Sequence, residues 1–179
     1  MAVIGCGGVG LNCIQGSLLA GALRIIAIDT VETKLTMARD LGATDVIDAS
    51  GGGVVEKVLA LTGDGVDYSF EAIGTKETAE QSFEMLRSGG TATVIGMVPE
   101  GTKFELDGAT FLRRERRIQG STMGSNRFRI DMPRYIEFYL QGRLKLDELV
   151  SQRLRLDQIN DAFEDMKQGH VARSVITFD

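Results

Sequence analysis

The hexad Gly5-Cys6-Gly7-Gly8-Val9-Gly10 constrains this chain more than any other feature. It has the spacing G-x-G-x-x-G and stands between an apolar run at 2–4 and a stretch of helical period at 9–20. A strand that turns at once into a helix needs glycine for the sharp turn and again where the helix crosses the strand closely. Gly5 suits the turn, Gly10 the close crossing, and Gly7 leaves the backbone open to approach from outside. The chain beyond keeps the same rhythm. Apolar runs at 24–28, 46–47, 66–70 and 91–95 alternate with helical stretches at 32–41, 54–61 and 76–86. Such alternation predicts βαβ units and a parallel sheet. The near-continuous Ile25-Ile26-Ala27-Ile28 predicts that both faces of the sheet are covered. The expected class is α/β: a Rossmann doubly wound parallel sheet, followed by a C-terminal α+β extension.

After Ile95 the rhythm changes. Strands are expected at 103–106 and 118–121 around a basic helical stretch, then helices at 132–141 and 157–168 and strands at 149–156 and 174–178. Gly124-Ser125-Asn126 has the composition of a boundary. The chain is therefore expected to divide into 1–122 and 123–179. The second part is small for a core of its own and should pack on something else, leaving apolar surface exposed.

Composition excludes several classes. Hydrophobic residues at 43% and charged residues at 25% give the balance of a soluble globular protein. A net charge of -5 argues against nucleic acid as a partner. Arg113, Arg114, Arg116 and Arg117 are interrupted by Glu115 and read as a solvated or inter-subunit face. No apolar run approaches the ~20 residues that cross a bilayer, and the start does not have the form of a signal peptide. Two cysteines are too few for a disulfide framework and fit a reducing compartment, so a cytoplasmic location is expected.

The hexad in this context points to a dinucleotide, with the pyrophosphate on the free N–H groups of the helix N-terminus. Asp29 follows Gly10 by 19 residues, at the end of the second strand, where a carboxylate accepts bonds from the adenosine ribose. It would repel a 2′-phosphate, and Thr30 and Val31 offer no cation, so NAD is expected over NADP. Other nucleotide-binding classes fit less well. Tyr68, Tyr135 and Tyr139 are followed four positions on by Ala72, Tyr139 and Arg143, so the Tyr-x-x-x-Lys pair of short-chain dehydrogenases is absent. A 2-hydroxy-acid dehydrogenase needs a histidine in its cleft, and the only one is His170, beside Gly169 near the C-terminus. Methyltransferases carry a tighter glycine pattern.

The opening Ala2-Val3-Ile4 with its hexad resembles the coenzyme domain of zinc-type medium-chain alcohol dehydrogenases. So do Ile26-Ala27-Ile28-Asp29 with Lys34, Leu41-Gly42-Ala43-Thr44, Gly65-Val66-Asp67-Tyr68-Ser69-Phe70-Glu71 and Arg173-Ser174-Val175-Ile176-Thr177-Phe178. The blocks keep the family's order and spacing across nearly the whole chain, and bacterial members of the class III, glutathione-dependent formaldehyde dehydrogenase branch look most similar. The resemblance implies a set of coenzyme contacts. Gly5, Gly7, Gly8, Val9 and Gly10 would hold the pyrophosphate, and Asp29 with Lys34 the adenosine ribose. Ala72, Ile73 and Gly74 would line the cleft, and Ile95, Gly96 and Met97 would approach the nicotinamide. Ser121, Thr122 and Met123 would contact the carboxamide, and Arg173 would reach the pyrophosphate. The alternative is that Lys34 and Arg173 are solvated charges and Met97 and Met123 core fillers.

The resemblance also implies a catalytic zinc held by two cysteines and a histidine, and a four-cysteine structural zinc. In the family these ligands precede the glycine hexad, at which this chain opens. Cys6, Cys13 and His170 lack ligand-like spacing. No catalytic residue and no metal ligand is therefore expected here, and the chain alone should not oxidise alcohol. The expectation is the coenzyme-binding part of an NAD-dependent alcohol dehydrogenase, acting on a small alcohol or aldehyde and paired as a homodimer through 103–121. A zinc-free relative such as a quinone oxidoreductase, or a non-catalytic NAD-binding module, is the alternative.

Overall fold

A computed structural model describes residues 1–169 and 171–178. Six strands, β1 (Ala2–Ile4), β2 (Ile26–Asp29), β3 (Asp45–Asp48), β4 (Val66–Glu71), β5 (Leu86–Val94) and β6 (Arg117–Gly120), form one sheet in the order β3-β2-β1-β4-β5-β6. Every neighbouring pair is parallel. The order reverses between β1 and β4, which leaves a crevice beyond the carboxyl ends of those two strands.

The central strands β1 and β2 are buried on both faces, as the apolar runs require. Successive side chains point to opposite faces. Ala2, Ile4, Ile26 and Ile28 therefore pack with Val54 and Val58 of α3 (Val54–Thr62) and Phe83 of α4 (Lys76–Glu84). Val3, Ile25 and Ala27 pack on the other side with Leu11 and Ile14 of α1 (Gly8–Leu19) and Leu35 and Ala38 of α2 (Glu32–Asp40).

Two differences from the expected elements have local causes. The stretch 103–106 is an extended loop, not a strand. Its Glu105 N–H donates to Glu80 Oε1 on α4 (2.7 Å) and its carboxylate pairs with Lys76 (2.7 Å), so side chains of α4 replace a neighbouring strand as its partner. The basic stretch is only partly solvated. Arg116, ahead of β6, is buried with its guanidinium over the Phe83 ring at 5.6 Å, and Arg114, after α5 (Gly108–Arg113), pairs with Asp64 at 2.5 Å.

Beyond β6 a 3-10 turn (Met123–Ser125) leads to α6 (Phe128–Leu140), then to β7 (Gln152–Arg155), α7 (Ile159–Gln168) and β8 (Ser174–Thr177). The parallel pair β7–β8 is a separate two-stranded sheet. The tail meets the first layer around Lys145 and Leu149, and again where Ala172 and Arg173 cross Gly8. Gln15 of α1 exchanges two hydrogen bonds with the Lys145 backbone (2.8 and 2.9 Å), and Leu149 is buried among Val3, Leu11 and Leu35. Much of its apolar surface is bare. Helix α6 has no buried residue, and Phe128, Ile136, Leu140, Phe163 and Met166 are all exposed.

An apolar helix face left in water favours association. In size-exclusion chromatography with light scattering at micromolar concentration, the chain is expected to run as species larger than a monomer. A single monomeric peak would contradict this.

Candidate coenzyme site

Three strand ends meet at the crevice through glycines that leave no room for a side chain. Gly5, after β1, has φ +91°, and a Cβ there would lie 2.6 Å from Ile73 Cγ1. A Cβ on Gly10 would lie 1.7 Å from the Gly5 carbonyl oxygen, so α1 starts directly against the turn that precedes it. A Cβ on Gly96, after β5, would lie 2.1 Å from the Gly74 nitrogen, and one on Gly74, after β4, 2.7 Å from the Met97 carbonyl oxygen. The loops of β1, β4 and β5 are therefore packed backbone against backbone.

Gly7 is the opposite case: nothing lies within 4 Å of a Cβ built on it. It caps α1 without a side-chain bond, and the first turn of that helix holds no acidic residue. The first N–H groups of a 12-residue helix thus point to an open corner with the positive end of the dipole behind them. Asp29, at the end of β2, is nearly buried and faces the same corner. Its Oδ2 accepts the Cys6 N–H at 2.7 Å and its Oδ1 the Val31 N–H at 3.0 Å. Each oxygen keeps a lone pair for a further donor.

Two cations flank the corner. The Arg173 guanidinium lies 4.0 Å from the position of a Cβ on Gly8, and the Ala172 carbonyl passes at 3.2 Å from the same point. Ser151 steadies that crossing: its hydroxyl accepts the Ala172 N–H at 2.9 Å, and its own N–H donates to the Arg173 carbonyl at 2.8 Å. Lys34 is half-buried, its Nζ 3.1 Å from where a Cβ on Gly169 would stand, against the C-terminal end of α7. Lys34 is thus partly covered, whereas Arg173 is exposed. The expectation for His170 falls outside the described residues.

Ile73 is half-exposed at the β4 end. Met97 and Met123 are 94% and 88% exposed, which rules out core packing for both. Ala72, Ile95 and Ser121 are partly buried, and Thr122 is exposed. The structure thus brings the glycine hexad, Asp29, Lys34, Arg173 and the ends of β4 and β5 to one side of the sheet. Sequence reasoning missed Glu71, which is fully buried at the end of β4. Its Oε1 accepts the N–H groups of Ile73 (2.8 Å) and Gly74 (2.7 Å) and the Thr78 hydroxyl (2.9 Å).

The two cysteines are not poised for chemistry. Burial pushes the Cys6 thiol up to about 12, with the Asp29 charge adding to the shift, and burial pushes Cys13 up to about 11. No group of three His, Cys, Asp or Glu placed to hold a metal ion occurs among the described residues.

Residues 8–141 match the family described as zinc-binding dehydrogenase. The chain belongs to that family. It is 38% identical to an S-(hydroxymethyl)glutathione dehydrogenase of Schizosaccharomyces pombe, over 98% of this chain and 47% of that protein. Among solved structures it is similar to benzyl alcohol dehydrogenase from Acinetobacter calcoaceticus, with a TM-score of 0.95 at 31% identity, over 99% of this chain and 49% of that one. It is also similar to a zinc-binding dehydrogenase from Sinorhizobium meliloti 1021 bound to NADP, with a TM-score of 0.83 at 31% identity and the same coverage. The chain spans about half the length of the curated relatives it matches.

The glycine contacts set the outcome of two substitutions. Gly10→Ala forces a methyl into a backbone oxygen and should cost about 3 kcal/mol or more, whereas Gly7→Ala should cost under about 1 kcal/mol in urea unfolding. Equal costs would contradict the packing described. The thiols give a second check. Raised pKa values keep both neutral until pH climbs towards 11, so at pH 8 a thiolate-selective reagent should label the half-buried Cys13 slowly and the buried Cys6 only as fast as the chain opens. Rapid stoichiometric labelling of the folded chain would contradict that burial.

Proposed function

We propose that this chain binds NAD across the carboxyl ends of β2, β1, β4 and β5, and that it is the coenzyme-binding part of an NAD-dependent, zinc-type alcohol dehydrogenase. The observation that carries the reading is the Asp29 carboxylate, tied by the Cys6 N–H to the same turn that leaves Gly7 open.

On this reading the N–H groups of Gly8, Val9 and Gly10 receive the pyrophosphate, Arg173 adds positive charge beside it, and Lys34 stands with Asp29 at the adenosine ribose. Asp29 accepts the adenosine ribose hydroxyls with the lone pairs its backbone bonds leave free. The ends of β4 and β5, with Ile73, Gly74, Ile95, Gly96 and Met97, and the segment after β6, with Ser121, Thr122 and Met123, receive the second nucleoside. Bound NAD supplies a hydride acceptor for the carbinol carbon of a small alcohol, and in reverse a donor to an aldehyde. The chain's own residues bind and orient it.

The donors among the described residues do not fit a zinc ion. No three His, Cys, Asp or Glu side chains among them stand close enough together to share an ion. No step through a metal is assigned to these residues. The division into a coenzyme layer at 1–122 and a segment at 123–179 that serves a catalytic domain accords with the separate β7–β8 sheet and the bare face of α6. Pairing of two copies along β6 accords with its place at the open edge of the sheet. A cytoplasmic setting accords with two unpaired cysteines; no helix among the described residues is long and apolar enough to cross a membrane.

The NADP in the Sinorhizobium meliloti structure makes the phosphorylated coenzyme the competing reading. Asp29 opposes it, because a 2′-phosphate beside a nearly buried carboxylate meets like charge. Calorimetry should find NAD bound about tenfold or more tighter than NADP, and Asp29→Ala should remove most of that difference. Equal affinities in the unsubstituted chain would refute the assignment.

A further inference from the structure

Strand β4 ends in a residue that its surroundings do not require. Glu71 is aligned with Ile4 on one side and Val94 on the other, both apolar, and it is fully buried. Packing alone would be served by another aliphatic side chain. Instead the site holds a carboxyl whose Oε2 is buried with no hydrogen-bond partner among the described residues. An orphaned buried polar atom is costly and needs an explanation.

The bonds that Glu71 does accept, all through Oε1 and its main-chain carbonyl, show what a carboxyl achieves here. Its side chain fixes the Ile73 and Gly74 amides of the β4 loop and the Thr78 hydroxyl in the first turn of α4. Its main-chain carbonyl accepts the N–H groups of Ile95 (2.9 Å) and Gly96 (3.1 Å) in the β5 loop. One residue therefore holds both loops, at the place where Gly74 and Gly96 touch backbone to backbone.

These loops face a defined part of the ligand. With the adenosine ribose at Asp29 on β2 and the pyrophosphate over β1, a dinucleotide laid across the crevice puts its second nucleoside over β4 and β5. We infer that Glu71 is a positioning residue for that second nucleoside: its buried carboxyl fixes the β4 and β5 loops as one rigid floor. The inference rests on the coenzyme reading above. Glu71 acts through the loop backbones and leaves the adenosine end to Asp29.

The test compares NAD with ADP, which keeps the adenosine and diphosphate but lacks the second nucleoside. Calorimetry on Glu71→Ala should show NAD weakened about tenfold, the size of one lost hydrogen bond, with ADP changed less than about twofold. Glu71→Gln keeps an oxygen for the same three donors and should hold NAD within about threefold of the original. Amide hydrogen exchange should quicken at Ile73 and Gly74 in Glu71→Ala while Val3 in β1 stays protected. If Glu71→Ala does not fold, Thr78→Val removes one of the three donors and should lower NAD affinity alone. Parallel losses for NAD and ADP, or unchanged NAD binding in both Glu71→Ala and Thr78→Val, would overturn the inference. An unsubstituted chain that binds neither ligand would instead overturn the coenzyme reading on which it rests.

Discussion

Everything at the crevice depends on how closely α1 is seated on the turn before it. The Gly5 carbonyl lies where a Cβ on Gly10 would have to be, so the helix begins in contact with the strand that feeds it. That contact aims the helix N-terminus over the carboxyl ends of the central strands and leaves its first amides with nothing of their own to bond. A longer loop would let those amides turn to water or to a capping side chain. The electrostatic character of the corner thus follows from a steric fact.

The second constraint is the tie between neighbouring strand ends. Asp29 belongs to β2, yet it accepts the N–H of Cys6 in the turn after β1, so the carboxylate and the open corner cannot drift apart. Gly74 and Gly96 do the same for β4 and β5, and Gly5 meets Ile73 across the switch point. Over four strands the floor of the cleft is nearly all backbone. Backbone floors suit a ligand that must be approached closely, since side chains would hold it away. The tail closes one side by passing Ala172 and Arg173 over Gly8.

The fold was legible where the strands are short and apolar, as in β1 and β2. Ile25 to Ile28 could hardly be anything but a covered strand. Where legibility failed, one residue type suited two roles. Met85 and Leu86 fit the apolar stripe of a helix, but α4 stops at Glu84 and Leu86 begins β5, because both side chains are needed in the core beneath the sheet. Arg87, Ser88, Gly89 and Gly90 have the composition of a turn, yet they lie within β5, where the register with β4 shifts between Val66 and Tyr68. Within the site, Asp29 and the glycines were readable from spacing. Glu71 was not, since an acid closing a strand looks the same in sequence whether it faces water or three donors. Ser151 carries no signal at all in the sequence, since its partners lie 21 and 22 residues away.

The central claim is that the helix corner holds a diphosphate while Asp29 holds the adjoining sugar. A crystal structure of the chain with NAD tests it most directly. The account predicts phosphate oxygens within hydrogen-bond reach of the Gly8–Gly10 amides and both adenosine ribose hydroxyls on the Asp29 carboxylate. Coenzyme bound elsewhere with that corner left to solvent, or a ribose that makes no contact with Asp29, would contradict it.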